Sequence, residues 1–136
     1  MVRIEHHKEL IDRQRVKYER PISAWTALEQ AAFGAAMGSN GFTIQAEAEA
    51  LLAAVPASGS VLDLGTGRGW PGKLIARDGG HRLVGLDMPV EALRLARSAF
   101  EAAGVAERAF VCAGEGSALP FASGSFDAVT HADVLC

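Results

Sequence analysis

The sequence predicts an α/β fold built on a parallel β-sheet. Four short apolar segments recur after residue 60, and helical segments follow the first two of them. Parallel strands need long crossover connections, which are almost always right-handed. The 136 residues carry 13 Lys+Arg and 16 Asp+Glu, giving a formal net charge of −3, and 49% of them are hydrophobic. This composition is typical of a globular domain and argues against general disorder.

Three helices are predicted in the first third of the chain. The first covers about 4–19 and ends before Pro21, because the residue preceding a proline disfavours the helical conformation. The second is predicted at roughly 24–37 with Ser23 as its N-cap, and the third begins after Thr43 as N-cap.

We interpret residues 1–55 as a helical cap on an α/β domain formed by residues 56–136. Trp25, Leu28 and Phe33 are spaced to form one apolar face of the second helix. Two helices alone could not bury this face, so we expect it to pack beside the glycine-rich turn that follows the first strand.

The elements of the second region follow from apolar runs and turn residues. Strands are predicted at Val61–Leu64, Arg82–Leu86, Ala109–Cys112 and from Phe126 onward. The helices between them begin at Pro71 and Pro89, which suit a first helical turn. They end at Gly79 and Gly104. Residues 114–125 are predicted to be a turn-rich connection.

The most informative segment is VLDLGTGRGWPG, from Val61 to Gly72. Glycines let a backbone approach a ligand closely, and the start of a helix favours an anionic group. One interpretation is the dinucleotide fingerprint G-x-G-x-x-G starting at Gly67, with Asp87 placed 20 residues later. That interpretation predicts a nicotinamide-dependent oxidoreductase.

The other interpretation takes the turn as one D-x-G-x-G-x-G unit that starts at Asp63. It fits the predicted strand better, because a strand ending at Leu64 makes Gly65 the first glycine of the turn. Counted from there, the third glycine of the dinucleotide fingerprint would fall on Trp70. Asp63 either contacts a ligand or only pins the turn, and we favour the ligand contact.

Together with VGLDMP and GEGSALPFASGSFDAV, this segment resembles the class I S-adenosylmethionine-dependent methyltransferases. It is most similar to the branch that methylates small molecules. The resemblance covers residues 61–135 and rests on these sequence blocks standing in the family's order and spacing. It implies a Rossmann-like methyltransferase fold with parallel strands in the order 3-2-1-4, an N-terminal helical cap, and S-adenosyl-L-methionine as the cofactor.

The resemblance also implies cofactor-binding positions. The methionine part of the cofactor would be held by the turn residues Asp63, Gly65, Thr66, Gly67 and Gly69. Asp87 would accept hydrogen bonds from both ribose hydroxyls, and Met88 would lie against the adenine ring. Glu115 and the neighbouring Gly116 would meet the polar edge of adenine. His131 stands where the family contacts the cofactor through the backbone, a role that we favour over that of a general base.

The sequence departs from the family in its length. The family's sheet has seven strands, whereas this sequence stops at Cys136, shortly after the start of the fourth strand. We therefore expect a fragment that binds the cofactor weakly, with Phe126–Leu135 as an open edge able to form a strand-paired homodimer. A nicotinamide-dependent oxidoreductase domain and a non-catalytic cofactor-binding or dimerisation remnant remain as alternatives.

The remaining features predict a cytoplasmic protein, and the resemblance implies a small-molecule methyl acceptor as its partner. No apolar run approaches the roughly 20 residues that a membrane span needs, and the N-terminus lacks the apolar core of a secretory signal. The slightly acidic charge argues against nucleic acid as a partner. Cys112 and Cys136 show no metal-ligand spacing, so no metal is expected.

Overall fold

The structure is a computed structural model that describes residues 2–39 and 41–134, with side chains from Lys8 onward in these ranges. Leu135, the last residue of the predicted open edge, and Cys136, one of the two cysteines, lie outside the described residues. No helix within the described ranges is long and apolar enough to cross a membrane.

Three helices precede a four-stranded sheet that carries two further helices. The helices are α1 (Val2–Tyr18), α2 (Ile22–Phe33), α3 (Gln45–Ala54), α4 (Gly72–Asp78) and α5 (Val90–Ala102). The strands are β1 (Ser60–Leu64), β2 (Arg82–Asp87), β3 (Ala109–Ala113) and β4 (Ala128–His131). All pairs are parallel and the order is β3-β2-β1-β4. The predicted fold class and strand order are therefore confirmed.

One face of the sheet packs against α4 and α5 to form the main core. Val61 of β1 lies opposite Leu83 of β2, and both are buried against Ile75 of α4 and Phe100 of α5. Because side chains alternate along a strand, the residues before and after Val61 and Leu83 point to the opposite face of the sheet. The core therefore holds β1 and β2 in the middle of the sheet, with their carboxyl ends side by side.

Helix α2 is shorter than predicted. It ends at Phe33, because Gly34 adopts a left-handed conformation with φ of 73° and donates its N–H to the carbonyl of Gln30 at 3.0 Å. The prediction that this helix continues to residue 37 is wrong, and Met37 instead lies in the segment after the helix, where it is buried.

Two predicted helix caps are also wrong. Helix α2 begins one residue before Ser23, with Pro21 as its N-cap residue. Helix α3 follows Ile44 rather than Thr43, and the N–H of Ile44 donates to the carboxylate of Glu47 at 3.0 Å. A glutamate in the first turn thus replaces the predicted threonine cap.

The N-terminal helices pack beside the glycine turn, though not through the whole predicted face. Phe33 packs against a cluster that contains Trp70 and Leu74, and the ring of Trp25 lies near Arg68. Leu28, by contrast, is 59% exposed, so its predicted burial is wrong. The division of the chain at residue 55 stays a prediction.

Candidate functional site

A tight turn carrying three glycines joins β1 to α4. The N–H groups of Gly65 and Thr66 both donate to the carbonyl of Leu86 on β2, at 2.8 and 3.0 Å. Gly65 has a φ of 72°, and a Cβ there would overlap a methyl group of Val134, so the position requires glycine. The turn is thus fastened at the carboxyl ends of β1 and β2, which is where open α/β sheets bind ligands.

The last residue of β2, Asp87, faces this turn. Its carboxylate accepts hydrogen bonds from the N–H groups of Gly67 and Met88, both at 2.8 Å. Burial raises the pKa of Asp87, and these two hydrogen bonds, together with the positive charge of Lys17, lower it in part. Each carboxylate oxygen has two lone pairs, so Asp87 can accept further hydrogen bonds from the hydroxyls of a ligand.

A cleft of about 370 Å³ opens at Asp87. Its walls come from α1, from the segment before α3, from the glycine turn and from the residues after β4. Residues that line it include Gln14, Lys17, Tyr18, Ser39, Phe42, Trp70, Met88, Ala132 and Val134. The volume lies within the range of about 300–1,000 Å³ that is usual for small-molecule sites.

Five of the predicted cofactor positions line this cleft: Gly65, Thr66, Gly67, Asp87 and Met88. Gly69 lies at the far end of the turn, with φ of 90°, and a Cβ there would lie 3.0 Å from the ring of Phe100. The close packing of the turn on α5 therefore explains why position 69 is a glycine.

Asp63 lies beneath the turn, within the sheet. It is 1% exposed, and its carboxylate accepts hydrogen bonds from the hydroxyls of Thr66 at 2.8 Å and Thr130 at 3.0 Å. Burial raises the pKa of Asp63 from 3.8 to about 6, while the two threonine hydroxyls lower it in part. This carboxylate joins β1, the turn and β4. The geometry matches the alternative in which Asp63 pins the turn, and its contact with a ligand stays a prediction.

Three predicted cofactor positions lie beside the cleft and are not among the described residues that line it: Glu115, Gly116 and His131. The turn that contains Glu115 and Gly116 is attached to β2, because the N–H of Gly114 donates to the carbonyl of Asp87 at 3.0 Å. His131 ends β4 and lines a shallow depression next to α3. The cofactor contacts of these three residues stay predictions. Within the described ranges, no cluster of three or more His, Cys, Asp or Glu side chains could hold a metal.

A buried ion pair joins the glycine turn to α2. Nη2 of Arg68 lies 2.9 Å from Oε1 of Glu29 and donates to the carbonyl of Ser39 at 2.6 Å. The two side chains are 6% and 5% exposed, and the Arg68 guanidinium lies 5.2 Å from the ring centre of Trp25. Burial lowers the pKa of Arg68, and the Glu29 carboxylate raises it in part. No local pattern predicts this pair, because its partners are 39 residues apart.

Asp133 fastens the end of β4 to the segment before α3. One of its carboxylate oxygens accepts hydrogen bonds from the N–H groups of Phe42 at 2.9 Å and Thr43 at 3.1 Å, and from the Thr43 hydroxyl at 2.8 Å. The indole N–H of Trp70 donates to the Thr43 carbonyl at 2.9 Å. These contacts fix the cleft wall that contains Phe42, and sequence analysis missed them because they join residues 27 to 91 positions apart.

Residues 61–136 match a family model described as a methyltransferase domain. The structure is similar to an RNA methyltransferase from Salinibacter ruber in complex with S-adenosyl-L-homocysteine, with a TM-score of 0.61 and 24% identity. It is also similar to a SAM-dependent methyltransferase from Thiobacillus denitrificans in complex with the same compound, with a TM-score of 0.62 and 26% identity. The matches cover 67% and 72% of this chain, and 60% and 40% of the two solved chains, respectively. No curated protein matches the sequence.

Proposed function

The chain belongs to the family of methyltransferase domains, and from this premise we propose that its cleft binds S-adenosyl-L-methionine for methyl transfer to a small molecule. The observation that carries the proposal is the Asp87 carboxylate, which lines the cleft and is held by the Gly67 N–H of the glycine turn. A nicotinamide-dependent oxidoreductase is not favoured, because the family match covers this same region.

The residues around the cleft fit that cofactor. The glycine turn leaves room for an amino-acid group to approach the backbone. Asp87 offers acceptor oxygens for a pair of hydroxyls, and Met88 offers a polarizable surface for a flat ring. When bound, the cofactor would supply a methyl group on a positively charged sulfur, which could pass to the lone pair of an acceptor while the electron pair of the broken bond stayed on sulfur.

The chain's own residues would act by orienting the reactants and excluding water. Tyr18 at the end of α1 and Phe42 in the segment before α3 both line the cleft and would help to enclose an occupant. Alignment of reacting groups can supply most of the acceleration in such a transfer. The acceptor is proposed to be a small molecule because the net charge of −3 and the cleft volume suit one better than a nucleic acid.

Calorimetric titration with S-adenosyl-L-homocysteine tests the cofactor assignment. We expect saturable binding to one site, with no displacement by NADH. Absence of binding to protein that is folded by circular dichroism would overturn the proposal, and displacement by NADH would favour the oxidoreductase. Binding without methyl transfer to any of a panel of small acceptors would favour the non-catalytic alternative.

A further inference from the structure

The ion pair between Arg68 and Glu29 joins the glycine turn of the cleft to helix α2. Arg68 belongs to the turn that lines the cleft, and the residue before it, Gly67, donates its N–H to Asp87. Glu29 belongs to α2 and does not line the cleft. We propose that this pair couples the two regions, so that filling the cleft and docking α2 strengthen one another, with Glu29 as a positioning residue.

Glu29 holds two parts of the cleft wall at once. One carboxylate oxygen pairs with Arg68 at 2.9 Å, and the other accepts the N–H of Gly38 at 3.1 Å. Arg68 in turn donates to the carbonyl of Ser39, the next residue of the same segment. Ser39 lines the cleft. A displacement of α2 would therefore move the segment before α3 and the glycine turn together.

Burial makes this connection stiff. Both side chains are about nine-tenths or more removed from water, and separating the partners of such a pair leaves a buried charge without compensation. An exposed pair such as Arg97 and Glu101 on α5, with side chains 75% and 56% exposed, carries no comparable penalty. Since coupling between two sites is reciprocal, a ligand that orders the turn must also favour the docked position of α2.

The coupling rests on the proposed function only for the identity of the ligand. The first measurement is the affinity for S-adenosyl-L-homocysteine of the full chain, of Glu29→Gln and of the matched control Glu101→Gln. Glu29→Gln is expected to weaken binding at least about fivefold, because apparent affinity falls with the fraction of molecules whose turn is correctly held. Glu101→Gln should bind within about twofold of the unaltered chain. Arg68→Lys keeps the positive charge but loses the fixed donor geometry of the guanidinium. Its affinity for S-adenosyl-L-homocysteine should lie between those of Glu29→Gln and Glu101→Gln.

The second measurement is amide hydrogen exchange, which separates coupling from a general loss of stability. In the unaltered chain, S-adenosyl-L-homocysteine should slow exchange in α2 as well as in the glycine turn. Without ligand, Glu29→Gln should speed exchange at Gly67 and Gly69 while leaving β3 unchanged. If Glu29→Gln does not fold, the ligand effect on α2 in the unaltered chain decides the matter.

Three results would overturn the coupling. The first is an equal affinity of Glu29→Gln and Glu101→Gln for S-adenosyl-L-homocysteine. The others are an amide exchange rate in α2 that does not change when the ligand binds, and an exchange rate in the glycine turn that is the same in Glu29→Gln as in the unaltered chain. Failure of the unaltered chain to bind S-adenosyl-L-homocysteine would count against the proposed function instead. In that case the ligand-free comparison at Gly67 and Gly69 still supports or rejects the coupling.

Discussion

Two aspartates near the end of the sheet are both withdrawn from water but are placed for different tasks. Asp87 accepts its two protein hydrogen bonds from backbone N–H groups and lines the cleft. Asp63 is fully enclosed and accepts from two threonine side chains. Asp87 is therefore available to a ligand, whereas Asp63 organises the elements around it.

Asp87→Ala is expected to weaken binding of S-adenosyl-L-homocysteine at least about tenfold. The change removes the acceptor for two hydroxyls, and each hydrogen bond to a charged group is worth about 1.5–3 kcal/mol. It also leaves the N–H of Gly67 without its partner. Calorimetry measures the loss, with Asp78→Ala on the exposed side of α4 as the control that should bind normally. Unchanged affinity in Asp87→Ala would reject the ribose assignment.

Asp63 should give the protein a stability that falls as the pH rises from about 4 to about 6. Its pKa in the folded protein is about 6, against 3.8 for an ordinary aspartate, so the folded state holds this proton more tightly than the unfolded state does. The contribution is therefore complete below the unfolded pKa and is lost as the pH rises through the folded one. The shift corresponds to about 3 kcal/mol.

Urea unfolding of Asp63→Asn and of the unaltered chain at pH 4.5, 5.5 and 7 isolates this contribution, because every other titratable group is present in both proteins. The stability of Asp63→Asn relative to the unaltered chain should increase towards neutral pH. A constant difference across the series would show that Asp63 titrates normally.

At the scale of elements, the glycine turn and β2 approach each other more closely than a side chain on β2 would allow. Gly85 lies opposite Asp63 in the sheet, and a Cβ there would lie 2.7–2.9 Å from three side-chain atoms of Thr66. Thr66 cannot move away without losing its hydrogen bond to Asp63. The absence of a side chain at Gly85 is therefore what allows the turn to rest on the sheet.

Gly85→Ala is expected to destabilise the protein by about 1–3 kcal/mol, the usual cost of forcing an extra group into a packed site. Gly116→Ala is a suitable comparison, because the nearest neighbour of its Cβ would be a side-chain atom of Leu64 at 3.6 Å. That variant should change the stability by no more than about 0.5 kcal/mol. Urea unfolding curves measure both, and equal stabilities would show that the sheet has room beneath the turn.

The elements that sequence analysis predicts well are those with strong local patterns. The strands start within two residues of their predicted positions, and β1, β2 and β3 also end within one residue of them, because each is an apolar run between turn residues. The glycine turn and Asp87 are predicted for the same reason, since they lie in continuous motifs. The prediction that the fourth strand continues towards Leu135 is wrong: β4 ends at His131, and Asp133, with a left-handed φ of 56°, directs its carboxylate to the segment before α3. The end of α2 is missed because the apolar pattern continues past Gly34 as far as Met37, and the left-handed glycine ends the helix regardless.

The rest of the site depends on contacts between distant residues. Lys17 lines the cleft although it precedes the glycine turn by almost 50 positions, because α1 packs against α5, and the Asp133 carboxylate reaches residues about 90 positions earlier. Pairs of this kind leave no periodicity in the sequence, so motif analysis found the glycine turn and the Asp87 side of the cleft but not the opposite walls.

At the scale of the whole molecule, the described sheet has two edges, and β4 pairs with β1 alone. A row of side chains, Val129, Leu62, Val84 and Phe110, crosses the face opposite α4 and α5. Its two ends are open, with Val129 57% and Phe110 46% exposed. An apolar side chain beside unpaired strand groups is a recognised route to association between chains.

The acidic residues that flank β4 do little to block this edge. The Asp127 carboxylate accepts hydrogen bonds from the N–H and the hydroxyl of Ser60, and these bonds lower the pKa of Asp127. Asp133 is directed to the segment before α3. The charge of Asp127 is therefore directed to the start of β1 and that of Asp133 to the segment before α3, which strengthens the prediction of a strand-paired homodimer made from the sequence.

Light scattering over a range of protein concentrations tests that association. The apparent mass of the unaltered chain should rise with concentration, and Val129→Lys should lower it towards that of a monomer, because a charge beside the open strand opposes pairing with a second copy. Val90→Lys is the matched control: Val90 is 48% exposed at the start of α5, away from β4, so this variant should associate like the unaltered chain. A mass that stays monomeric at every concentration, or an equal effect of both lysines, would show that β4 is not the associating edge.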